Sequence, residues 1–296
     1  MVKPNILCVG HVNLDEVLYL DNELEQERST RVDSIISAGG GATNTAMILS
    51  NNDNVGNVYL AGSVGTDKKG DKVVSFLDEN NVELALPKKE GLTTKIRAVI
   101  TKNKNPQYMH EDQELMEFSS GDVSDEIWNT IDHVHITSFD VDMATDFAVR
   151  AKDENKTVSF NPTQGYFDES FESVVEKADL IQMNRGESET FAKRHGSIGA
   201  VVDSGDGTDI VITHGPAGCT FYSQDGLANH EGFTVDFVTD TVGAGDSFMA
   251  GLISSWVHSE PLEESLKIAN AHGALSVMEK GAPKSIKNKD IQDLIN

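Results

Sequence analysis

The hydrophobic and polar positions of this chain follow two rhythms, and the change from one to the other marks its elements. Asn5 to Val9 is a short apolar run ending at Gly10, which predicts a strand buried on both faces. Just beyond it, Asn13 and Asp15 alternate with Val12 and Leu14, so the two polar side chains share one face. Val32 to Ser37, Thr94 to Thr101 and Gln107 to Glu111 alternate in the same way. Between the last two, Lys102-Asn-Lys-Asn-Pro106 is a hairpin signal. With residues 17–20 these stretches predict a small sheet of their own. Val58 to Ala61 reads as a strand and about Asp71 to Asn80 as a helix. From about residue 120 strand and helix then alternate regularly: His133 to Thr137, Met143 to Asn155, Thr157 to Phe160, Phe171 to Lys177, Leu180 to Met183, Ile210 to Thr213. That alternation predicts an α/β fold, a doubly wound sheet with helices on both faces.

The sharpest junction comes later. Phe233 to Thr239 alternates as a strand, and Ser247 to Val257 carries Met249, Leu252, Ile253 and Trp256 at i, i+3, i+4 and i+7, a helix with one buried stripe. Between them runs Asp240-Thr-Val-Gly-Ala-Gly-Asp246. Gly243 and Gly245 let the backbone turn tightly and leave amides uncovered by side chains. Unpaired N–H groups at a helix start, with the positive end of its dipole, form an anion site. A lone Gly-Asp there would only complement the dipole. Beside a phosphate-sized cradle of amides, Asp246 suits phosphoryl transfer, where a carboxylate takes the proton of the attacking hydroxyl.

Composition narrows the partners. The 296 residues bury a substantial core, and 48 acidic residues against 24 basic ones give a net charge of −24. Such a field repels phosphate backbones and argues against nucleic acid as a partner. The carboxylates are spread along the whole chain, as in a protein of concentrated salt, where screening suppresses self-repulsion; a halophilic cytoplasm is expected. Cys8 and Cys219 lie in apolar segments that read as buried strands, with neither a disulfide framework nor a metal-ligand partner at useful spacing. No charged leader, membrane-length span or low-complexity segment is apparent, so a cytoplasmic protein without a membrane partner is expected.

The seven residues from Asp240 to Asp246 resemble the C-terminal signature of the ribokinase (PfkB) family of small-molecule kinases, and other stretches follow in that family's order over almost the whole chain. The resemblance implies one ribokinase-like domain over 1–296, with a β lid contributed by about 14–37 and 94–120. It makes Asp246 the catalytic base and Gly243, Ala244 and Gly245 the anion hole. Gly10-x-x-Asn13-x-Asp15 matches the family's sugar-hydroxyl clamp, and Gly39, Gly40 and Asn44 match its N-terminal signature. Gly62 to Gly70 resembles a structural turn of the family. Asn184-Arg-Gly-Glu187 resembles a motif that orders Mg²⁺ and phosphate through water, and Thr213, Gly215 and Gly218 resemble its ATP loop. An Asn at 270 lines the adenine pocket in relatives, and Asp240 matches a residue of a monovalent-cation (K⁺) site bordered by Gly281-Ala282. Arg97 and Tyr108 are lid candidates to face substrate, with a solvent-facing position as the alternative. His11, His133 and His135 read as structural.

The resemblance therefore implies an ATP- and Mg²⁺-dependent kinase of a small-molecule sugar or nucleoside. Two departures argue against a plain ribokinase: Gly41 and Ala42 stand where ribokinase has Lys and Gly, and Asn161-Pro-Thr-Gln164 replaces an Asp-x-Asn-x-Arg-like segment. Cys8 to Asp15 also looks like archaeal nucleoside kinases. Arg97, as a partner for a substrate phosphate or carboxylate, tilts the expectation to a sugar. A non-catalytic sugar- or nucleotide-binding regulator is the other class, which the retained Asp246 opposes. An exposed lid sheet is compatible with a homodimer. The charge carries its own test: stability and activity are expected to be maximal above about 1 M KCl, where the Debye length is about 3 Å. A thermal midpoint that falls as KCl rises from dilute buffer would refute the halophilic reading.

Overall fold

The computed structural model describes residues 2–20, 29–30, 32–101, 107–111, 117–138, 140–162, 172–204, 207–281 and 286–296. The hairpin signal at 102–106, Thr163 and Gln164, and Ala282 lie outside the described residues. The strands are β1 (Ile6–Gly10), β2 (Asn13–Leu20), β3 (Asp33–Gly39), β4 (Val58–Ala61), β5 (Val82–Leu84), β6 (Lys95–Thr101), β7 (Gln107–Glu111), β8 (His133–Ser138), β9 (Thr157–Pro162), β10 (Leu180–Asn184), β11 (Asp209–Thr213), β12 (Cys219–Ser223) and β13 (Gly226–His230). The helices are α1 (Gly41–Leu49), α2 (Lys68–Glu79), α3 (Asp125–Trp128), α4 (Val141–Asp153), α5 (Glu172–Val175), α6 (Arg185–His195), α7 (Ile198–Ser204), α8 (Ala244–Trp256), α9 (Leu262–Ser276) and α10 (Asn288–Ile295).

Nine strands form the main sheet in the order β13-β12-β11-β10-β9-β8-β1-β4-β5. The strands from β5 to β11 are parallel, and the β12–β13 hairpin closes one edge antiparallel. Period 2 sends alternate side chains of each strand to opposite faces. Leu7 and Val9 pack with Ile136, Phe147 and Phe160 on the α4 face. Ile6 and Cys8 pack with Leu49, Leu252 and Ile253 on the α1 and α8 face. Cys8 and Cys219 are buried free thiols in strands, as their apolar settings predict. The chain leaves β1 toward β4 and β5 on one side and returns through β8 to β11 on the other. The carboxyl end of β1 is thus the switch point where open α/β sheets bind ligands.

The four-stranded sheet β3-β2-β6-β7 stands over that end. In β2, Asp15, Val17 and Tyr19 share one face and Leu14, Glu16 and Leu18 the other. Among the described residues, no helix is long and apolar enough to cross a membrane.

Two sequence expectations are corrected. Phe233 to Thr239 forms no strand: the amides of Thr239 and Asp240 donate to the Val277 carbonyl at the end of α9 instead. Phe237 and Val238 are consequently exposed. Helix α8 was expected to bury one stripe, yet every residue from Ser247 to Ser255 is buried, because α1, α9 and the sheet enclose it. Its approach to α9 depends on Gly251, where an added Cβ would lie 2.6 Å from the His272 ring. Gly251→Val is therefore expected to destabilise the fold by about 1–3 kcal/mol through overpacking, measured by denaturant unfolding. Unchanged stability would mean that α9 can shift freely.

Candidate active site

Helix α8 begins at the foot of this cleft. Gly243, its N-cap, is left-handed at φ 76°, and no side chain caps the helix. The Ala244 amide turns back to the Thr241 carbonyl at 3.3 Å, so it serves the turn itself. Gly245 has open space beside it, the nearest atom to an added Cβ being Gln182 Nε2 at 3.9 Å, and its backbone faces the cleft. One residue on, Asp246 meets α1: Asn44 Nδ2 donates to Asp246 Oδ2 at 2.7 Å. An added Cβ at Gly41, the first residue of α1, would lie 3.4 Å from Asp246 Oδ1.

The predicted clamp residues gather around this pair. A Cβ at Gly39 would sit 1.9 Å from Asp15 Oδ2, and one at Gly40 would sit 2.1 Å from the His11 carbonyl. Gly40 also holds φ 99°, so both glycines are dictated by close backbone approach. Asn13 is buried beside Gly40. Asp15 Oδ1 and Asn44 Oδ1 are buried acceptors without a hydrogen-bond partner. Burial pushes the Asp15 carboxyl up to about 7, with a further push from the negative field of Asp246. Burial likewise raises Asp246 to about 6, while the Asn44 bond works against the rise. Two carboxyls thus share a cleft, both held above the usual carboxylate range by burial.

The lid reaches the same place. Tyr19 Oη donates to Asp240 Oδ2 at 2.6 Å, with Lys280 Nζ 4.7 Å above the Tyr19 ring. Tyr108 is half exposed; partial burial of its hydroxyl, with the fields of Asp240, Asp15 and Asp246, pushes it up. Arg97 is not brought there. It lies on the opposite face of the small sheet, with Nε and a terminal nitrogen each 2.8 Å from Glu16 Oε2. Glu16 also pairs with Lys95 at 2.8 Å, so the alternation that puts Asp15 inside puts Arg97 outside.

On the other side of Asp246 opens a cavity of about 730 Å³ that includes Asn184, Glu187, Thr213, Gly215, Gly245 and Asp246. Asn184 and Glu187 form a capping box on α6: Asn184 Oδ1 accepts from Glu187 N at 2.9 Å and Glu187 Oε2 accepts from Asn184 N at 2.7 Å. Burial, with a smaller push from Asp246, raises the Glu187 carboxyl against these bonds. Gly218 and Asn270 are not among the cavity's residues. Gly218 permits the tight approach of β13, since a Cβ there would meet the His230 carbonyl at 2.0 Å. The Asn270 amide donates to the Leu266 carbonyl at 2.9 Å and to Cys219 Sγ at 3.2 Å, tying α9 to β12. Asp240 accepts from Val242 N at 2.8 Å and Gly281 N at 3.0 Å besides Tyr19, so it joins lid, motif and C-terminal segment. No group of three or more potential metal-ligating His, Cys, Asp or Glu is assembled among the described residues.

Sequence reasoning missed Asn161, Gln182, Arg185 and His214, which also line the cavity. All four stand at or near the carboxyl ends of β9, β10 and β11, a position that the predicted topology would have flagged. Asn161 Nδ2 donates to both oxygens of Gln182, the backbone carbonyl at 3.1 Å and the side-chain Oε1.

The model of the pfkB family of carbohydrate kinases matches residues 3–289. The chain is 31% identical to an ATP-dependent ribose-1-phosphate kinase of Halopiger xanaduensis, over 94% of this chain and 93% of that one. It is 26% identical to a nucleoside kinase of Methanocaldococcus jannaschii, over 96% and 94% of the two chains. In fold it is similar to a fructokinase with bound ATP from Xylella fastidiosa, with a TM-score of 0.84 at 18% identity over 99% of this chain and 98% of that one. The chain belongs to the pfkB carbohydrate kinase family and is an ATP-dependent phosphotransferase whose acceptor is a hydroxyl group of a sugar or nucleoside.

Proposed function

We propose that this kinase phosphorylates a sugar or sugar phosphate, with Asp246 as general base. The observation that carries the reading is the pair of buried acceptors, Asp15 Oδ1 and Asn44 Oδ1, left without donors beside Asp246. Buried acceptors are rarely left unpaired, and adjacent ring hydroxyls are the donors that fit them. The likeness to a ribose-1-phosphate kinase supports a pentose or pentose phosphate. Arg97 no longer supports a substrate phosphate, since Glu16 holds it on the far face.

In this reading Asn13, Asp15 and Asn44 orient the acceptor while the lid excludes water. Its reacting hydroxyl loses a proton to Asp246 as its oxygen attacks the γ-phosphorus and the bond to the β-bridging oxygen breaks. The start of α8 and the Gly245 amide lower the energy of charge on the transferring group. Triphosphate occupies the cavity between Asn184, Thr213 and Gly215. Mg²⁺ fits this site as an ion that arrives with the phosphates, because Glu187 and Asp246 offer carboxylates but the described residues build no cage. Bound there it would neutralise phosphate charge. We place the enzyme in the cytoplasm, as one domain with lid strands from the two early excursions, with the outer lid face available for a homodimer.

Asp246→Asn is expected to keep the fold and ATP binding and to lower kcat by about 10²–10⁴-fold. The base must be ionised, so kcat/KM for the acceptor should fall as pH drops through about 6, and this limb should vanish in the variant. A variant within a few-fold of wild type moves the base elsewhere.

A nucleoside is the second reading. Val17, Ile96, Ala98 and Tyr108 share the inner lid face in register and give a base an apolar and aromatic wall. A panel of free pentoses, pentose 1-phosphates, guanosine, inosine and cytidine decides between them. A nucleoside with a kcat/KM at least ten times that of any sugar or sugar phosphate tested would reverse the assignment. Comparing KCl with tetramethylammonium chloride at equal ionic strength tests whether K⁺ acts specifically near Asp240. A specific cation raises kcat only in KCl.

A further inference from the structure

Beneath α8 a line of polar side chains crosses a buried part of the main sheet's face. Thr137 Oγ1 lies 3.0 Å from His135 Nε2, and His135 Nδ1 lies 2.8 Å from Ser159 Oγ. Ser159 Oγ lies 2.8 Å from His133 Nε2, and His133 Nδ1 lies 2.8 Å from Thr157 Oγ1. Thr157 Oγ1 ends the line on the Asp132 carbonyl at 3.4 Å. His133, His135 and Ser159 are fully buried, and the far end runs under Trp256 at the other end of α8, whose ring centre is 6.0 Å from that of His133. Burial holds both imidazoles neutral, with pKa values lowered to about 3.

A neutral imidazole has one N–H and one acceptor nitrogen, and a hydroxyl has one hydrogen to donate. Five consecutive bonds built from such groups have only two self-consistent polarities. A carbonyl can only accept, so the contact of the solvent-facing Thr157 hydroxyl with Asp132 O at 3.4 Å favours one. Thr157 donates to Asp132 O, His133 Nδ1–H to Thr157, Ser159 to His133 Nε2, His135 Nδ1–H to Ser159, and Thr137 to His135 Nε2.

The near end is at the catalytic cleft. Thr137 is half-buried at the carboxyl end of β8, in register with Gly10 on one side and Asn161 on the other. An added Cβ at Gly41 would meet Thr137 Cγ2 at 2.5 Å and Asp246 Oδ1 at 3.4 Å, so Thr137 and Asp246 flank the same bare backbone. We propose that the buried chain spends the Thr137 hydrogen inward and leaves Thr137 an obligate acceptor toward the cleft, where it selects a hydroxyl of the phosphoryl acceptor. His135, Ser159 and His133 are then positioning residues that act through it. The proposal rests on the hydroxyl-acceptor reading of the site; the polarity itself does not.

The polarity is measured on the full-length protein without turnover. Long-range ¹H–¹⁵N correlation spectra, with the signals assigned by their loss in His133→Gln and His135→Gln, should show both imidazoles as the neutral Nδ1–H tautomer. An Nε2–H tautomer at either position overturns the proposal even if the enzyme phosphorylates sugars. Kinetics test the consequence. Thr137→Val should raise KM for the acceptor by about 3–10-fold, the worth of one hydrogen bond, with KM for ATP unchanged. Ser159→Ala cuts the chain away from the cleft, frees His135 to take either tautomer, and should raise the same KM. The double variant should be no worse than Thr137→Val alone. Additive effects, or a Ser159→Ala enzyme with wild-type KM beside an impaired Thr137→Val, would reduce the chain to a packing device.

Discussion

The constraint on which this architecture depends is a carboxylate drawn partly out of water at the start of a buried helix. Asp246 cannot be stripped of water without cost, and its carboxyl rises from 3.8 to about 6 as a result. The sign is unfavourable for stability. A folded-state pKa above the unfolded one means that the folded chain binds more protons between about pH 4 and 6, so this group's contribution falls as pH rises through that window. The Asn44 bond and the amide end of α8 offset part of the penalty. Keeping Asn44 in place requires α1 to pack on α8, and both helices are buried almost throughout. Core packing and the geometry around Asp246 are therefore one arrangement.

The lid is tied to the same motif at its other end. Asp240, which opens the segment leading to Asp246, accepts a hydrogen bond from Tyr19 of β2 and one from the Gly281 amide. The strand that carries Asp15 is thus anchored directly to the loop that leads to Asp246. Motion of β2 relative to the main sheet has to break or rearrange the Tyr19–Asp240 bond, a short, part-buried one.

Several residues chosen for chemistry have plain structural work as well. Asn184 and Glu187 satisfy the first amides of α6 as a capping box, and the cavity is where that helix start faces. Asn270 and Gly218 hold the β12–β13 hairpin to the body. Arg97 neutralises Glu16 on the outer lid face. A motif is satisfied by the fold before it is available to a ligand, and distances separate the two uses.

What the sequence determined by itself was local. Period 2 and period 3.6 located most strands and helices, because side-chain direction follows from backbone geometry alone. The Asp240 to Asp246 segment announced its tight turn and helix start, since glycine torsions need no distant partner. The parity of β2 put Asn13 and Asp15 together. Tertiary structure decided the rest. Phe233 to Thr239 alternates like a strand but pairs with none, and the amides of Thr239 and Asp240 go to the end of α9 instead. Helix α8 showed one apolar stripe but is enclosed on all sides, because its serines and glycines are small enough for α9 and α1 to approach. His133 and His135 read as packing because nothing in the sequence brings Ser159, a strand away, between their rings. Register between strands, not pattern within one, creates that hydrogen-bonded line, and register is fixed only when the whole sheet assembles.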